Sequence, residues 1–228
     1  MELNQLPGAL IPWYREHKRD LPWRQTREPY HIWVSEIMLQ QTRVEAVKGY
    51  YARFLDRLPD IAALANCDDD ELHKLWEGLG YYSRVRNLKK AAREVVARGQ
   101  FPTDYDGVLA LPGIGEYTAG AISSIAFGIP VPAVDGNVLR VISRVTADDG
   151  DIMKQSVRNR VEAELEEVIP REAASDFNQG LIELGAIVCV PNGAPKCEIC
   201  PVAEYCIVGQ NVNKRVATMR QIFVSPYG

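Results

Sequence analysis

"LPGIGEYTAGAI", residues 111–122, is the stretch that decides the fold of this chain. Pro112 ends one helix, because the residue before a proline disfavours helical backbone. Gly113 and Gly115 allow a tight turn, and helical spacing of apolar residues resumes around Tyr117. The free N–H groups that begin the second helix favour an anion. The stretch therefore predicts two helices joined by a turn that holds a nucleic-acid phosphate; the alternative is a tight turn without a ligand.

Helical patterns extend over nearly the whole chain of 228 residues. In the segment 31–58, apolar and aromatic residues recur at intervals of three, four or seven. The segment 68–80 begins with acidic residues and ends at glycines, as helices commonly do. No stretch alternates between apolar and polar residues for long enough to predict a strand. The predicted fold class is all-α, built from many short helices.

The composition is that of an ordinary globular protein, with a net charge of −4. This acidic balance argues weakly against nucleic-acid binding, although local patches matter more than the total. Residues 83–98 form such a patch, with six Lys and Arg and one Glu. The run predicts either a basic binding face or a solvated helix face. Neither a signal peptide nor a membrane span is visible, so we expect a cytoplasmic protein without membrane contacts.

A run of four cysteines lies near the C-terminal end, with the spacing C-x7-C-x2-C-x5-C. In a reducing compartment this arrangement is typical of a metal site rather than of disulfides. The spacing alone does not distinguish zinc from an iron–sulfur cluster, and four unliganded thiols are the remaining alternative. The predicted ligands are Cys189, Cys197, Cys200 and Cys206.

Taken together, seven motifs resemble the helix-hairpin-helix DNA glycosylases of the endonuclease III superfamily, and among them those that excise adenine. In chain order they are "LPWR", "WVSEIMLQQTRV", "GLGYYSRVRNL", "LPGIGEYTAGAI", "AVDGNVLRV", "FNQGLIELGA" and the cysteine run. The resemblance covers nearly the whole chain. It implies a six-helix barrel domain at residues 23–130. It also implies a second domain, residues 1–22 with 131–228, that holds a [4Fe–4S] cluster, with DNA bound and the base excised between the two.

Two departures from the family pattern accompany this resemblance. The family usually has six residues between the first two cysteines, whereas seven separate Cys189 from Cys197, so we expect a local difference in that loop. Adenine glycosylases usually carry a C-terminal domain that recognises 8-oxoguanine, and here the chain stops at "NVNKRVATMRQIFVSPYG". We therefore expect that domain to be absent, either because the chain is truncated or because it is naturally compact.

Excision of a base requires a proton donor near the purine and an anion near the sugar, which becomes an oxocarbenium-like cation. Glu36 has apolar neighbours on its predicted helix, which favour the protonated form. The resemblance implies that Glu36 protonates adenine at N7. Asp135 opens the next predicted helix, where aspartate is also a favoured cap for structural reasons alone. The resemblance implies that its carboxylate stabilises the sugar cation, with Asn137 supporting it by a hydrogen bond.

Tyr117 stands where strand-cleaving relatives carry a lysine. The amine of such a lysine attacks the sugar and forms a Schiff base, which a phenol cannot do. The resemblance therefore implies a monofunctional glycosylase that uses water and leaves an abasic site. We expect Tyr117 to hydrogen-bond Asp135; a packing aromatic is the alternative.

Further residues are assigned by the resemblance to moving the target base out of the duplex, which costs a few kcal/mol. Gln41 and Tyr81 match residues that insert into the base stack beside the opposite guanine. The adenine pocket would be formed by Trp23, Arg24, Leu39 and Gln179.

The favoured function is hydrolysis of the N-glycosidic bond of adenine opposite 8-oxoguanine or guanine in double-stranded DNA. We expect a monomeric, bacterial-type enzyme associated with the nucleoid. The first alternative is a mismatch thymine or uracil glycosylase, which shares the fold, often shares the tyrosine, and is similarly short. The "LQQT" motif favours adenine, whereas the short chain favours the alternative. A DNA lesion binder without enzymatic activity is the second alternative, and the presence of both Glu36 and Asp135 argues against it.

Overall fold

A computed structural model describes residues 3–212, and side chains up to residue 210. Residues 213–228 lie outside the described residues. They form most of the C-terminal stretch from which the absence of the 8-oxoguanine-recognition domain was predicted. Within the described range the chain is helical and has no strand, which confirms the all-α prediction. No helix in this range is long and apolar enough to cross a membrane.

Twelve α-helices occupy the described range. Their bounds are α1 Leu6–His17, α2 Pro29–Leu39, α3 Val44–Arg57, α4 Ile61–Asn66, α5 Asp69–Trp76, α6 Ser83–Arg98, α7 Tyr105–Leu109, α8 Glu116–Phe127, α9 Gly136–Thr146, α10 Gln155–Glu166, α11 Ala174–Ile187 and α12 Ile207–Val212.

The chain divides into two compact units. The first, here called the hairpin unit, is Arg19–Ile129 and contains the seven helices α2–α8. The second, here called the cysteine unit, comprises the described residues up to Lys18 and from Pro130 onward. It contains α1 and α9–α12.

The hairpin unit begins four residues before the boundary expected from the sequence. The reason lies in bonds between this segment and the short 3₁₀ turn that follows it. The Arg24 guanidinium donates to the Arg19 carbonyl at 3.2 Å. The Gln25 amide donates to the Asp20 carboxylate at 2.8 Å. Residues 19–22 therefore belong with the hairpin unit.

Helix α2 is the central helix of the hairpin unit. It packs against α3, α6 and α8, and residues 32–38 are all buried. A helix surrounded in this way is apolar on every side, and any polar side chain on it needs a partner. Ser35 bonds to the carbonyl of Ile32 at 2.7 Å. The other buried polar residue of α2 is Glu36. It accepts a hydrogen bond from Tyr117 on α8.

The predicted helical hairpin is present, formed by α7 and α8 packed against each other. Between them Gly113 has a φ of +79°, in the left-handed region that favours glycine. Gly115 has extended backbone and caps the N-terminus of α8. Ile114, between the two glycines, is buried and fixes the turn to the core, while both glycines remain exposed.

The basic run lies on α6, but some of its cations face inward. Lys89 is 5% exposed, and its ammonium bonds to the carbonyl of Cys67 at 2.6 Å and to the carboxylate of Asp69. The Arg93 guanidinium donates to the carbonyl of Ala65 at 3.2 Å. These cations hold α6 to the end of α4, the start of α5 and the residue Cys67 between them. The run is therefore neither a continuous basic face nor a simply solvated one.

In the cysteine unit, α11 packs between α1 and α9. The core at this contact is apolar and includes Leu6, Leu10, Val138 and Phe177. Gly180 permits the close approach, since a Cβ there would lie 3.0 Å from the Leu10 side chain. This packing fixes the N-terminal end of α9, where the predicted catalytic aspartate lies.

Candidate active site

Glu36 and Tyr117 meet inside the hairpin unit. Glu36 lies on α2 and is 7% exposed, whereas Tyr117 lies in the first turn of α8 and is half-buried. The Tyr117 phenol donates a hydrogen bond to Oε2 of Glu36 at 2.8 Å. Because α2 packs directly against α8, the helical core sets this distance. The bond orients a carboxyl group that is buried on the central helix of the unit.

This partner differs from the expected one, because the sequence predicts a bond from Tyr117 to Asp135. The register of the hairpin explains the difference. Tyr117 is the second residue after the cap of α8, and this turn of α8 lies against α2, which carries Glu36. A bond between Tyr117 and Asp135 stays a prediction.

Asp135 caps the N-terminus of α9, as the structural alternative anticipated. Its Oδ1 accepts a hydrogen bond from the Val138 amide at 2.8 Å. Its Oδ2 accepts one from the Asn137 side chain at 2.7 Å. The predicted support of Asp135 by Asn137 is therefore present as a contact, and both carboxylate oxygens are held in place.

Burial raises the pKa of Asp135 above its usual range. The hydrogen bonds from Val138 and Asn137, and the positive charge of Arg140, act on this pKa in the opposite direction. The residue as a whole is partly exposed, but enough protein surrounds its carboxyl group to remove much of the hydration. A poorly hydrated carboxylate interacts strongly with a cation that forms beside it.

Arg140 is a polar residue that the sequence analysis missed. It is 7% exposed and donates to Oδ1 of Asn137 at 2.8 Å. It also donates to the carbonyls of Gly185, at 2.8 Å, and Cys189, at 2.9 Å. A Cβ on Gly185 would lie 2.6 Å from that of Asn137, so glycine allows α11 to come this close. Arg140 therefore connects the group around Asp135 to the first cysteine of the run.

Asn178 and Glu183 are the two buried polar residues of the α11 motif, and neither was predicted to be functional. The Asn178 side chain accepts from the Ala133 amide at 3.1 Å and donates to the Val131 carbonyl at 2.8 Å. These bonds hold the segment that leads into α9. The predicted pocket residue Gln179 is half-buried and donates to the Ser175 hydroxyl at 3.0 Å.

The other predicted pocket residues lie in the hairpin unit. Trp23 is 6% exposed and packs edge-on against Tyr51, with ring centroids 5.5 Å apart, as a core aromatic does. Arg24 is half-buried in the 3₁₀ turn, and Leu39 is the half-buried last residue of α2. Contact between these residues and an extruded base stays a prediction.

Gln41 and Tyr81, the predicted intercalating residues, are both exposed. Gln41 follows α2, and Tyr81 precedes α6. Both have a positive φ, 58° and 46°, which is uncommon for residues other than glycine. The side chain of Tyr81 is 64% exposed, an unusual fraction for a large aromatic residue.

The four cysteines of the run line one small cavity in the cysteine unit. The Arg144 guanidinium donates to the sulfur of Cys189 at 3.2 Å. The amide of Gly209 donates to the sulfur of Cys206, also at 3.2 Å. Across the described residues, no three His, Cys, Asp or Glu side chains are grouped as they would be around a single metal ion.

Burial also acts on the thiols of this cavity. It raises the pKa of Cys200 to about 12 and shifts the pKa values of Cys197 and Cys206 in the same direction. As free thiols these groups therefore stay protonated at neutral pH. A bound cation would be needed to convert them to thiolates.

The loop after Cys189 contains the additional residue relative to the family pattern. It turns at Gly193, where φ is +82°. It closes through a bond from the Lys196 amide to the Val188 carbonyl at 3.0 Å. The turn brings Cys197 back to the cavity that Cys189 lines.

The hairpin turn gives a test with a matched control. Gly113→Ala places an L side chain at positive φ, with its Cβ 2.6 Å from Asn87. We expect it to lower the free energy of unfolding by about 2 kcal/mol. It should also weaken binding to perfect and mispaired duplexes alike, since the turn is predicted to contact phosphate.

Gly115→Ala is the control, because that position is not strained and a Cβ there meets nothing within 4 Å. Chemical unfolding and fluorescence anisotropy measure the two effects, and a loss confined to the mispaired duplex would contradict the phosphate role.

Comparison with known proteins gives a consistent set of relatives. Residues 34–171 match the model of the HhH-GPD superfamily base excision DNA repair proteins. The chain is 42% identical over 224 residues to the adenine DNA glycosylase of Homo sapiens, covering 93% of this chain and 41% of the human protein. It therefore spans less than half the length of that relative.

Among solved structures, the chain is similar to a thermostable thymine-DNA glycosylase, with a TM-score of 0.80 and 31% identity. That match covers 90% of this chain and 94% of the other. It is also similar to endonuclease III in a non-covalent complex with DNA, with a TM-score of 0.76 and 25% identity. This second match covers 94% of this chain and all of the other.

Proposed function

Because the chain belongs to the HhH-GPD superfamily of base excision DNA repair proteins, we propose that it is an adenine DNA glycosylase. Its substrate would be adenine opposite 8-oxoguanine or guanine in double-stranded DNA. One observation carries the proposal: the buried Glu36 is held at 2.8 Å by the tyrosine of the helical hairpin. The similarity to the human adenine glycosylase supports the choice of base.

Glu36 is the proposed general acid. A leaving adenine needs a proton on a ring nitrogen, which a carboxyl group in hydrogen-bond reach of N7 supplies. The 2.8 Å bond from Tyr117 orients the Glu36 carboxyl group, which would face the base in this step. Glu36 then accepts a proton from the attacking water, so that the proton balance closes over one turnover.

Asp135 is the proposed anion beside the sugar. Loss of the base leaves positive charge on C1′ and the ring oxygen, and a fixed, poorly hydrated carboxylate stabilises that charge. The hydrogen bonds from Val138 and Asn137 fix the Asp135 carboxylate in advance, so it need not reorient during the reaction. Asn137 is in turn fixed by Arg140. Water then attacks C1′ and leaves an abasic site.

Thymine is the second candidate base. The similarity to a thymine-DNA glycosylase structure over 94% of that chain favours it. Adenine is preferred for a chemical reason, since thymine has no nitrogen corresponding to N7 for Glu36 to protonate. The identity to the human adenine glycosylase, 42% against 31%, points the same way.

A monofunctional reaction is expected from Tyr117. Incubation with a duplex that carries A opposite 8-oxoguanine should release free adenine and leave the strand intact until alkali is added. Borohydride should trap no covalent enzyme–DNA complex, because a phenol forms no Schiff base. The control is a lysine-containing endonuclease III treated identically. Efficient trapping that persists in Tyr117→Phe would identify a lysine nucleophile elsewhere and refute this mechanism.

The cysteine cavity is proposed to hold a [4Fe–4S] cluster. All four sulfurs line one small cavity with apolar walls, and two of them accept N–H···S bonds, a common feature of cluster sites. A cluster of several metal atoms would not require three side chains grouped around one point, as a single ion does. As thiolates, the four cysteines would bind such a cluster, and their binding would tie the loop 189–206 together. Cys189, Cys197, Cys200 and Cys206 would be its ligands.

Purified under nitrogen, the protein should be yellow-brown and contain about four iron and four sulfide per chain, the content of one cluster. Cys200→Ser should lower this content and the thermal midpoint together. Cys67→Ser is the control, because Cys67 belongs to the hairpin unit and not to the cysteine run. A colourless protein with stoichiometric zinc would contradict the cluster.

A further inference from the structure

The two loops that carry Gln41 and Tyr81 share an uncommon backbone conformation. Among the described residues other than glycine, only these two and Ala147 have a positive φ. L side chains disfavour this region, and it persists only where surrounding contacts impose it. Gln41 and Tyr81 are both exposed, so their own side chains supply little of that restraint. Another group in the hairpin unit must hold both loops.

Arg84, near the start of α6, makes the required contacts. Its Nη1 donates to the carbonyls of Ile37, at 3.0 Å, and Gln40. Its Nη2 donates to the carbonyls of Leu79, at 2.9 Å, and Gly80, at 3.3 Å. One planar guanidinium thus binds the last carbonyls of α2 and those at the end of the loop before α6. In each loop it reaches the residue directly before the strained position.

The same guanidinium also lies beside two aromatic rings. Its central carbon is 5.5 Å from the ring centroid of Trp76, which is fully buried, and 5.5 Å from that of Tyr81. The Trp76 ring anchors the cation from the core. Tyr81, which is 64% exposed, lies beside the same cation. The cation therefore orients the Tyr81 ring as well as its main chain.

We propose that Arg84 is a positioning residue that sets the Gln41 and Tyr81 loops as one unit for insertion into the base stack. This inference rests on the proposed function and extends it to a residue that touches neither the base nor the sugar. A lysine cannot replace Arg84, because a single ammonium lacks the planar fork needed to bind carbonyls from both loops. Because Arg84 acts through Tyr81 and Gln41, the effects of substituting Arg84 and of substituting either of those residues should not be independent.

The test is a double-mutant cycle of Arg84→Lys and Tyr81→Ala, followed by single-turnover release of adenine from an A·8-oxoguanine duplex. Stacking of one aromatic side chain on a base predicts a loss of roughly tenfold for either single variant. If Arg84 acts through Tyr81, the double variant should be about as slow as the slower single one. Losses that multiply, or a rate for Arg84→Lys within about twofold of wild type, would overturn the proposal.

A spectroscopic readout separates positioning from loss of fold. A 2-aminopurine placed next to the mispair brightens when the stack is opened. Wild type should produce this signal and Arg84→Lys should not, although circular dichroism and binding to undamaged duplex stay as in wild type. Arg86→Lys is the control, because Arg86 is exposed on the same helix and the substitution keeps its charge. An unchanged signal in Arg84→Lys would contradict the proposal.

Three further outcomes have defined consequences. If Arg84→Lys is unfolded at the assay temperature, Arg84→Gln measured at lower temperature takes its place in the cycle with the same expected coupling. If wild type itself releases no adenine, the proposed function fails. If wild type is active and the coupling is absent, only the role of Arg84 fails.

Discussion

Glu36→Gln is expected to lower the single-turnover rate of adenine release by ~10²–10⁴, the usual contribution of a general acid. The amide has nearly the shape of the carboxyl group and still accepts a hydrogen bond from Tyr117 through its oxygen. It cannot supply a proton to N7. Because Glu36 is buried on the central helix of the hairpin unit, an acid from solution cannot easily take the place of its carboxyl group.

The matched control is Glu45→Gln, the same change at an exposed position on α3. That variant should keep the wild-type rate and fold. Binding of Glu36→Gln to the mispaired duplex, measured by anisotropy, should stay close to that of wild type. A rate for Glu36→Gln within about threefold of wild type, far below the loss expected for a general acid, would show that Glu36 is not the proton donor.

Asp135→Asn is expected to slow excision by ~10²–10³, the cost of removing one electrostatic stabiliser of a transition state. Asparagine is as good a helix cap as aspartate, so α9 should remain intact. The negative charge beside C1′ is lost. Asp60→Asn is the control, since Asp60 caps α4 through a 2.8 Å bond from the Ala63 amide and has no proposed catalytic role. Equal activity of Asp135→Asn and wild type would reduce Asp135 to a structural cap.

The same variant predicts a pH dependence of stability. Burial raises the pKa of Asp135 in the folded chain, so the folded state binds this proton more tightly than the unfolded state does. Its stabilising contribution is complete below the unfolded pKa of about 3.9 and is lost as the pH rises through the folded pKa. The thermal midpoint of wild type should therefore fall relative to Asp135→Asn as the pH is raised from about 3.9, the unfolded pKa, through the folded pKa to neutrality. If the difference in thermal midpoint between wild type and Asp135→Asn does not change with pH, or changes in the opposite direction, the effect of burial is contradicted.

The helical hairpin is the part of the fold that the sequence predicts best. The signals that define it are local: a proline, two glycines and a resumed helical pattern can be recognised without information about distant residues. The resemblance likewise placed the catalytic candidates on α2, α8 and the start of α9. The cap role of Asp135 was predictable because capping depends on the next three residues only.

Contacts between segments distant in the chain were not predictable. The partner of Tyr117 depends on which turn of α8 packs against α2, and a helical pattern alone does not give that register. The bonds from Arg140 to Gly185 and Cys189 join helices that the sequence separates by some 45 residues. Arg84 was counted within a basic run because its charge is visible in the sequence and its carbonyl partners are not. Polar side chains inside the motifs, at positions 84, 140 and 178, were the available signal.

The most direct measurement is base release under single-turnover conditions from four duplexes that carry A or T opposite guanine or 8-oxoguanine. Chromatography identifies the free base, and Glu36→Gln provides the blank. We predict release of adenine from the A·8-oxoguanine duplex, slower release from A·G, and no thymine from either T duplex. Release of thymine from T·G with adenine untouched would contradict the assignment and identify a mismatch thymine glycosylase instead.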